Sequence, residues 1–290
     1  MGGSVQIPIP AHHDRWMDAA VNPPFGAIRL DALSLAAAGT GFTFLCTALG
    51  AAFVYVLDSS KKKIFTQLSL GFSGGIMIAA SVFGLLLPSI DEARKSGSGL
   101  WPPCGGFALG VAFLIALDRL LPHIHLMAKS PEGVHTSWGR QTLLFLAITI
   151  HNIPEGMAVG VVAAAAGSGA EGAGALGALA LGIGIQNVPE GAAVSVPYYA
   201  EGRSKNSSFM LGALSGIVEP LGALLVVLLQ GFVVSMLPWF LSFAAGAMLY
   251  VVVEELIPQS HEMGNGENDL ATISVLAGFL LMMALDVGLS

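Results

Sequence analysis

The sequence predicts an all-α polytopic membrane protein with eight transmembrane helices in a 3+2+3 inverted-repeat arrangement. Three observations carry this reading. The 290 residues are 54% hydrophobic and only 11% charged, with a mean hydropathy of +0.74, whereas soluble domains carry about 25% charged residues. Apolar runs long enough to cross a bilayer recur along the chain. Two of these runs contain nearly the same polar motif, His151-Asn152-Ile153-Pro154-Glu155-Gly156 and Gln186-Asn187-Val188-Pro189-Glu190-Gly191.

Polar breaks divide the apolar sequence into spans 31–57, 65–90, 101–121, 141–166, 171–198, 208–232, 236–258 and 269–289. Runs of this length without strict alternation read as helices, because helices and closed barrels alone satisfy the backbone in lipid. Residues 1–30 form a polar arm broken by Pro8, Pro10, Pro23 and Pro24. A basic start followed by an apolar core is missing, so the arm does not read as a signal peptide. Its His12 and His13 read as tail residues. Residues 31–290 form one transmembrane domain.

The first span contains Cys46 and the third opens near Cys104; both read as packing residues rather than a disulfide pair. The second span holds Phe72-Ser73-Gly74-Gly75-Ile76-Met77 followed by Pro88. The seventh holds Phe243-Ala244-Ala245-Gly246-Ala247-Met248 followed by Pro258. The shared Phe-x-x-Gly-x-Met spacing pairs span two with span seven, as the polar motifs pair four with five. Each pair runs in opposite directions, which is the signature of an inverted repeat. The sixth span carries Val218-Glu219-Pro220-Leu221, and the eighth closes the sequence.

Eight of the twelve basic residues fall on one side of this topology: Lys61, Lys62, Lys63, Arg119, Lys129, Arg140, Arg203 and Lys205. That side is expected to be cytoplasmic, which leaves both termini outside. The expected residence is a cell membrane, plasma or inner.

Chemistry concentrates at mid-membrane. His151 and Glu155 are four apart, so they share a helix face, about 6 Å apart along the axis. Gln186 and Glu190 repeat that geometry. Pro154 deprives the Ile150 carbonyl of its helical donor, and Pro189 does the same to Ile185. Freed backbone at this depth is tolerated where it lines a polar cavity. Glu155, Glu190 and Glu219 repel one another in an apolar setting, and a divalent cation relieves that repulsion. Protons and metal should then compete for the site. Imidazole, carboxylate and amide ligands suit zinc, iron or manganese. Met77 alone reads as core filler; as a ligand it would extend tolerance to cadmium or copper(I). The net charge of −7, with no basic stripe and no phosphate-binding glycine loop, argues against nucleic acid.

At these residues the chain resembles the ZIP (Zrt/Irt-like protein) family of divalent-metal transporters, GufA-type branch. The resemblance covers residues 31–290. It rests on His-Asn-x-Pro-Glu-Gly and Gln-Asn-x-Pro-Glu-Gly, with Gly-x-Met-x-Ala-Ala-Ser in span two, Glu-Pro-Leu-Gly in span six and Glu-Glu-x-Ile-Pro in span seven. It implies metal influx through a two-metal centre. One position would use Met77, His151, Glu155, Gln186 and Glu190. The other would use Asn152, Glu155, Asn187, Glu190 and Glu219, with Glu155 and Glu190 bridging. Asn187 stands where some relatives have Asp, so the second position is expected to be weaker. Asp91 at the outer end of span two would receive metal. Asp118, His123 and His125 near span three, and Glu254 and Glu255 at the inner end of span seven, would pass it inward.

Zinc-type ions enter this reading as cargo, with no prosthetic group. Lipid is the other expected partner, and a homodimer is left open. Rival readings are a membrane metal sensor, a proton-coupled exporter and an intramembrane metallohydrolase. The last is disfavoured by His-Asn-x-x-Glu in place of His-Glu-x-x-His.

Overall fold

Proline and glycine breaks, rather than polar loops alone, decide how the helices of this protein are segmented. The computed structural model describes residues 30–56, 62–123, 133, 140–168, 173–200, 202–263 and 268–289. The N-terminal arm up to residue 29, and with it His12 and His13, lies outside the described residues, as do His125 and His135.

Helix α1 (Leu30–Ala51) tightens into a 3-10 turn, Ala52–Tyr55. Helix α2 (Lys62–Ala79) passes through a π-helical segment, Ala80–Leu86, into α3 (Leu87–Lys95). Then follow α4 (Trp101–Leu120), α5 (Arg140–Gly167) and α6 (Ala173–Ala200). Helix α7 (Lys205–Leu214) starts under a cap: the Ser204 hydroxyl accepts from the Ser207 N–H at 3.2 Å. It leads through the short turn Ser215–Ile217 into α8 (Val218–Leu228) and then α9 (Gln230–Ser235). Helix α10 (Leu237–Val251) passes through a second π-helical segment, Val252–Leu256, into α11 (Ile257–Met263), and α12 (Asn268–Leu289) follows.

Seven helical segments among the described residues are long and apolar enough to cross a membrane. The eight spans read from sequence include α6, which is 28 residues long but not one of the seven. Gln186, Asn187 and Glu190 dilute its apolar run.

The two π-helical segments sit at corresponding places, just after Met77 and Met248 and just before Pro88 and Pro258. A proline cannot donate to the carbonyl one turn back, and a widened turn absorbs the mismatch. One consequence corrects the sequence reading: the helix that carries Glu254 and Glu255 continues to Met263, so these residues are interior to it rather than at its end.

Packing sorts the helices into two groups. Helix α1 lies along α6, α5 along α8, and α1 also touches α5, α7 and α8. In the other group α2 lies along α12 and α4 along α10. The groups meet where α2 and α12 touch α6, and where α10 touches α5. Small residues permit these approaches. A Cβ at Gly75 would collide with the Val275 carbonyl on α12, and one at Gly246 with the Phe107 carbonyl on α4. The reverse contacts match as well: Gly278 abuts the Phe72 carbonyl and Gly110 the Phe243 carbonyl.

Candidate metal centre

The centre is built from α5 and α6, which carry Pro154 and Pro189 deep in their interiors, with α1 and the start of α8 against them. Glycine after each Pro-Glu pair lets the backbones close in. A Cβ at Gly156 would strike the backbone of Glu219, and one at Gly191 the carbonyl of Thr47. The asparagines repeat this correspondence. Asn152 Nδ2 donates to the Ser215 carbonyl at 3.0 Å, and Asn187 Nδ2 to the Thr43 carbonyl at 3.4 Å.

All eight residues expected at the centre are buried: Met77, Asn152, Glu155, Gln186, Asn187 and Glu219 fully, Glu190 and His151 to 6% and 8% exposure. Gln186 Nε2 donates to Glu155 Oε1. Glu219 Oε1 accepts from Asn187 Nδ2 at 2.8 Å and from Thr47 Oγ1 at 3.4 Å, while Oε2 accepts from Thr43 Oγ1. Glu155, Glu190 and Glu219 lie where Gly156 abuts the Glu219 backbone and Gly191 the Thr47 carbonyl. Met77 lies one helical turn beyond Ser73, whose hydroxyl donates to the Gln186 carbonyl at 3.3 Å. Among the described residues, five oxygens of the group have no hydrogen-bond partner: Asn152 Oδ1, Glu155 Oε2, Gln186 Oε1, Asn187 Oδ1 and Glu190 Oε2. Buried acceptors without donors are costly, and a cation supplies what they lack.

The carboxylates are interleaved with amides and hydroxyls. No three His, Cys, Asp or Glu side chains among the described residues form a metal-sized group. His151 has a partner that was not among the residues expected at the centre. Its Nε2 meets Glu255 Oε1, in a buried pair joining α5 to the π-helical segment of the other helix group. Glu255 is therefore 2% exposed beside the centre, while its neighbour Glu254 is exposed.

The remaining path residues lie elsewhere. Asp91 is exposed on α3, 3.4 Å from Arg94. Asp118 lines a cavity of about 430 Å³ with Ile115, Arg119, Gly133 and Tyr250. His123 is buried, with Nδ1 2.9 Å from the Leu121 carbonyl and Nε2 3.9 Å from Asp118.

Sequence reasoning passed over Thr43 and Thr47. Their signal was present: Thr40, Thr43 and Thr47 form a stripe at helical spacing inside an apolar run.

The family model described as ZIP Zinc transporter matches residues 128–286. The chain belongs to the ZIP family. It is 37% identical to zinc transporter ZIP11 of Homo sapiens, over 87% of this chain and 96% of that protein. It is 38% identical to zinc transporter GufA of Myxococcus xanthus, over 84% of this chain and 94% of that protein. Zinc transporter ZIPB of Bordetella bronchiseptica is 41% identical over 85% of this chain and 78% of its own length. ZIP membership thus joins the duplicated Pro-Glu-Gly helices to a set of proteins named for zinc transport.

Proposed function

We infer that this ZIP protein is a transporter, not an enzyme, and that it moves zinc-type divalent ions into the cytoplasm through the α5–α6 centre. The observation that carries this is the group of five buried oxygens on α5 and α6 that have no donor among the described residues. Transition metals of the zinc class, with cadmium, iron, manganese and copper as candidates, suit a mixed imidazole, carboxylate, amide and thioether set. The names of the ZIP relatives favour zinc among them.

In this reading one ion is held by Met77, His151, Glu155, Gln186 and Glu190. A second, weaker position uses Asn152, Glu155, Asn187, Glu190 and Glu219, with Glu155 and Glu190 shared. Asp91 receives the ion outside; Glu255, Asp118, His123, His125 and Glu254 lie on its way in. Residues 31–290 form one eight-helix domain in a 3+2+3 inverted repeat, with α6 as the eighth span and both termini outside a cell membrane. Support comes from the matched contacts of Gly75 with Gly246, Gly110 with Gly278 and Gly156 with Gly191. The group of α1, α5, α6, α7 and α8 moves against α2, α4, α10 and α12, which matches the way the helices pack.

The test is zinc uptake by the purified chain in liposomes. The unaltered protein should accumulate zinc, and Glu155→Ala, correctly inserted, should not. Zinc binding without flux would leave a sensor in place of a transporter.

A further inference from the structure

The two halves of the centre differ at one telling position. Gly156 packs on Glu219 as Gly191 packs on Thr47, and Asn152 reaches Ser215 as Asn187 reaches Thr43. Thr47 is thus the counterpart of Glu219, and Thr43 the counterpart of Ser215. One half presents a carboxylate; the other presents hydroxyls, and those hydroxyls point at the carboxylate. Thr43 and Thr47 are both fully buried.

Each of these hydroxyls has two acceptors in reach. Thr43 Oγ1 can donate to Glu219 Oε2 or to the Thr40 carbonyl at 3.2 Å. Thr47 Oγ1 can donate to Glu219 Oε1 or to the Thr43 carbonyl at 3.2 Å. A hydroxyl has one proton, so these bonds are alternatives. Rotation about a single side-chain bond switches between them with no movement of α1.

We propose that Thr43 and Thr47 are positioning residues that compete with the transported cation for Glu219. The inference rests on the metal-centre reading above. With no cation, the hydroxyls and Asn187 satisfy both carboxylate oxygens. When a cation takes Glu219, the hydroxyl protons return to the backbone carbonyls of α1 and their lone pairs face the ion. No buried donor is stranded in either state. The exchange keeps the second position weak and favours release, which a carrier needs and a store does not.

The experiment is calorimetric titration of the purified full chain with zinc chloride. Thr43→Val, Thr47→Val and the double variant remove the donors at nearly constant volume. Because damage to a site weakens binding, a gain marks lost competition. The double variant should bind the Glu219-dependent zinc at least about tenfold more tightly, equal to 1.4 kcal/mol. Thr43→Ser should behave as the unaltered chain. The gain should vanish in a Glu219→Gln background. In liposomes the double variant should show a lower KM and a lower maximal uptake together. Unchanged or weaker zinc binding in the valine variants, or an equal gain with Glu219→Gln, overturns the proposal. Zinc binding by the unaltered chain with no effect of valine would sink this inference alone; absence of any binding by the unaltered chain would take the metal centre with it.

Discussion

Asn187 donates its amide to Glu219 at 2.8 Å, so a neutral side chain of the centre occupies a carboxylate that Thr43 and Thr47 also hold. Asn187→Asp converts that donor into a second acceptor. The two carboxylates then repel until a cation joins them. Zinc titration should show a second ion bound at least about tenfold more tightly than in the unaltered chain. An unchanged second binding event would count against the second position.

His151 meets Glu255 in the structure and is proposed as a cation ligand. Removing the imidazole in His151→Ala takes the one nitrogen ligand from the first position. Zinc affinity should fall by about tenfold to a hundredfold, the range seen when metal-site residues or their partners are lost. Uptake kinetics across zinc concentrations would read this as a raised KM. A variant with unaltered KM would place His151 outside the ligand set.

Protons should oppose zinc. Imidazole and carboxylate bind metal only when deprotonated, so acidification favours the metal-free form. Zinc affinity should fall progressively as the pH is lowered. Titrations in matched buffers would expose the slope, and a flat profile would contradict protonatable ligands.

Gly156 and Gly191 are positions where backbones touch. Alanine at either should force α5 away from α8, or α6 away from α1, since the nearest atoms are backbone and cannot rotate aside. Overpacking costs typically 1–3 kcal/mol, so about that much stability should be lost. Thermal unfolding of the detergent-solubilised protein is the measurement. Gly177, which a Cβ would meet with open space, is the control that should tolerate alanine.

Much of the architecture is legible in the chain because lipid imposes a simple rule. Apolar runs must be helical, so seven of the eight expected spans are apolar enough to be recognised as such in the folded chain. The exception, α6, is diluted by the residues that make it interesting. Pro154 and Pro189 mark where each helix loses a backbone donor while staying helical, and which carboxylates lie beside that loss, and that needs no partner to be known. The repeated Phe-x-x-Gly-x-Met spacing likewise gives paired positions, later seen as matched glycine contacts.

What the chain alone determined was therefore local: which segments are helices, and which polar side chains those helices carry at a depth where polarity is expensive. The fold decided the partners. His151 meets Glu255 across 104 positions of sequence, and Thr43 meets Glu219 across 176. Such pairs follow from close packing at glycines, and a single serine or threonine in an apolar run bears no local mark of facing a carboxylate rather than its own helix. Spacing along one helix fixes a face; only the approach of a second helix fixes what that face sees.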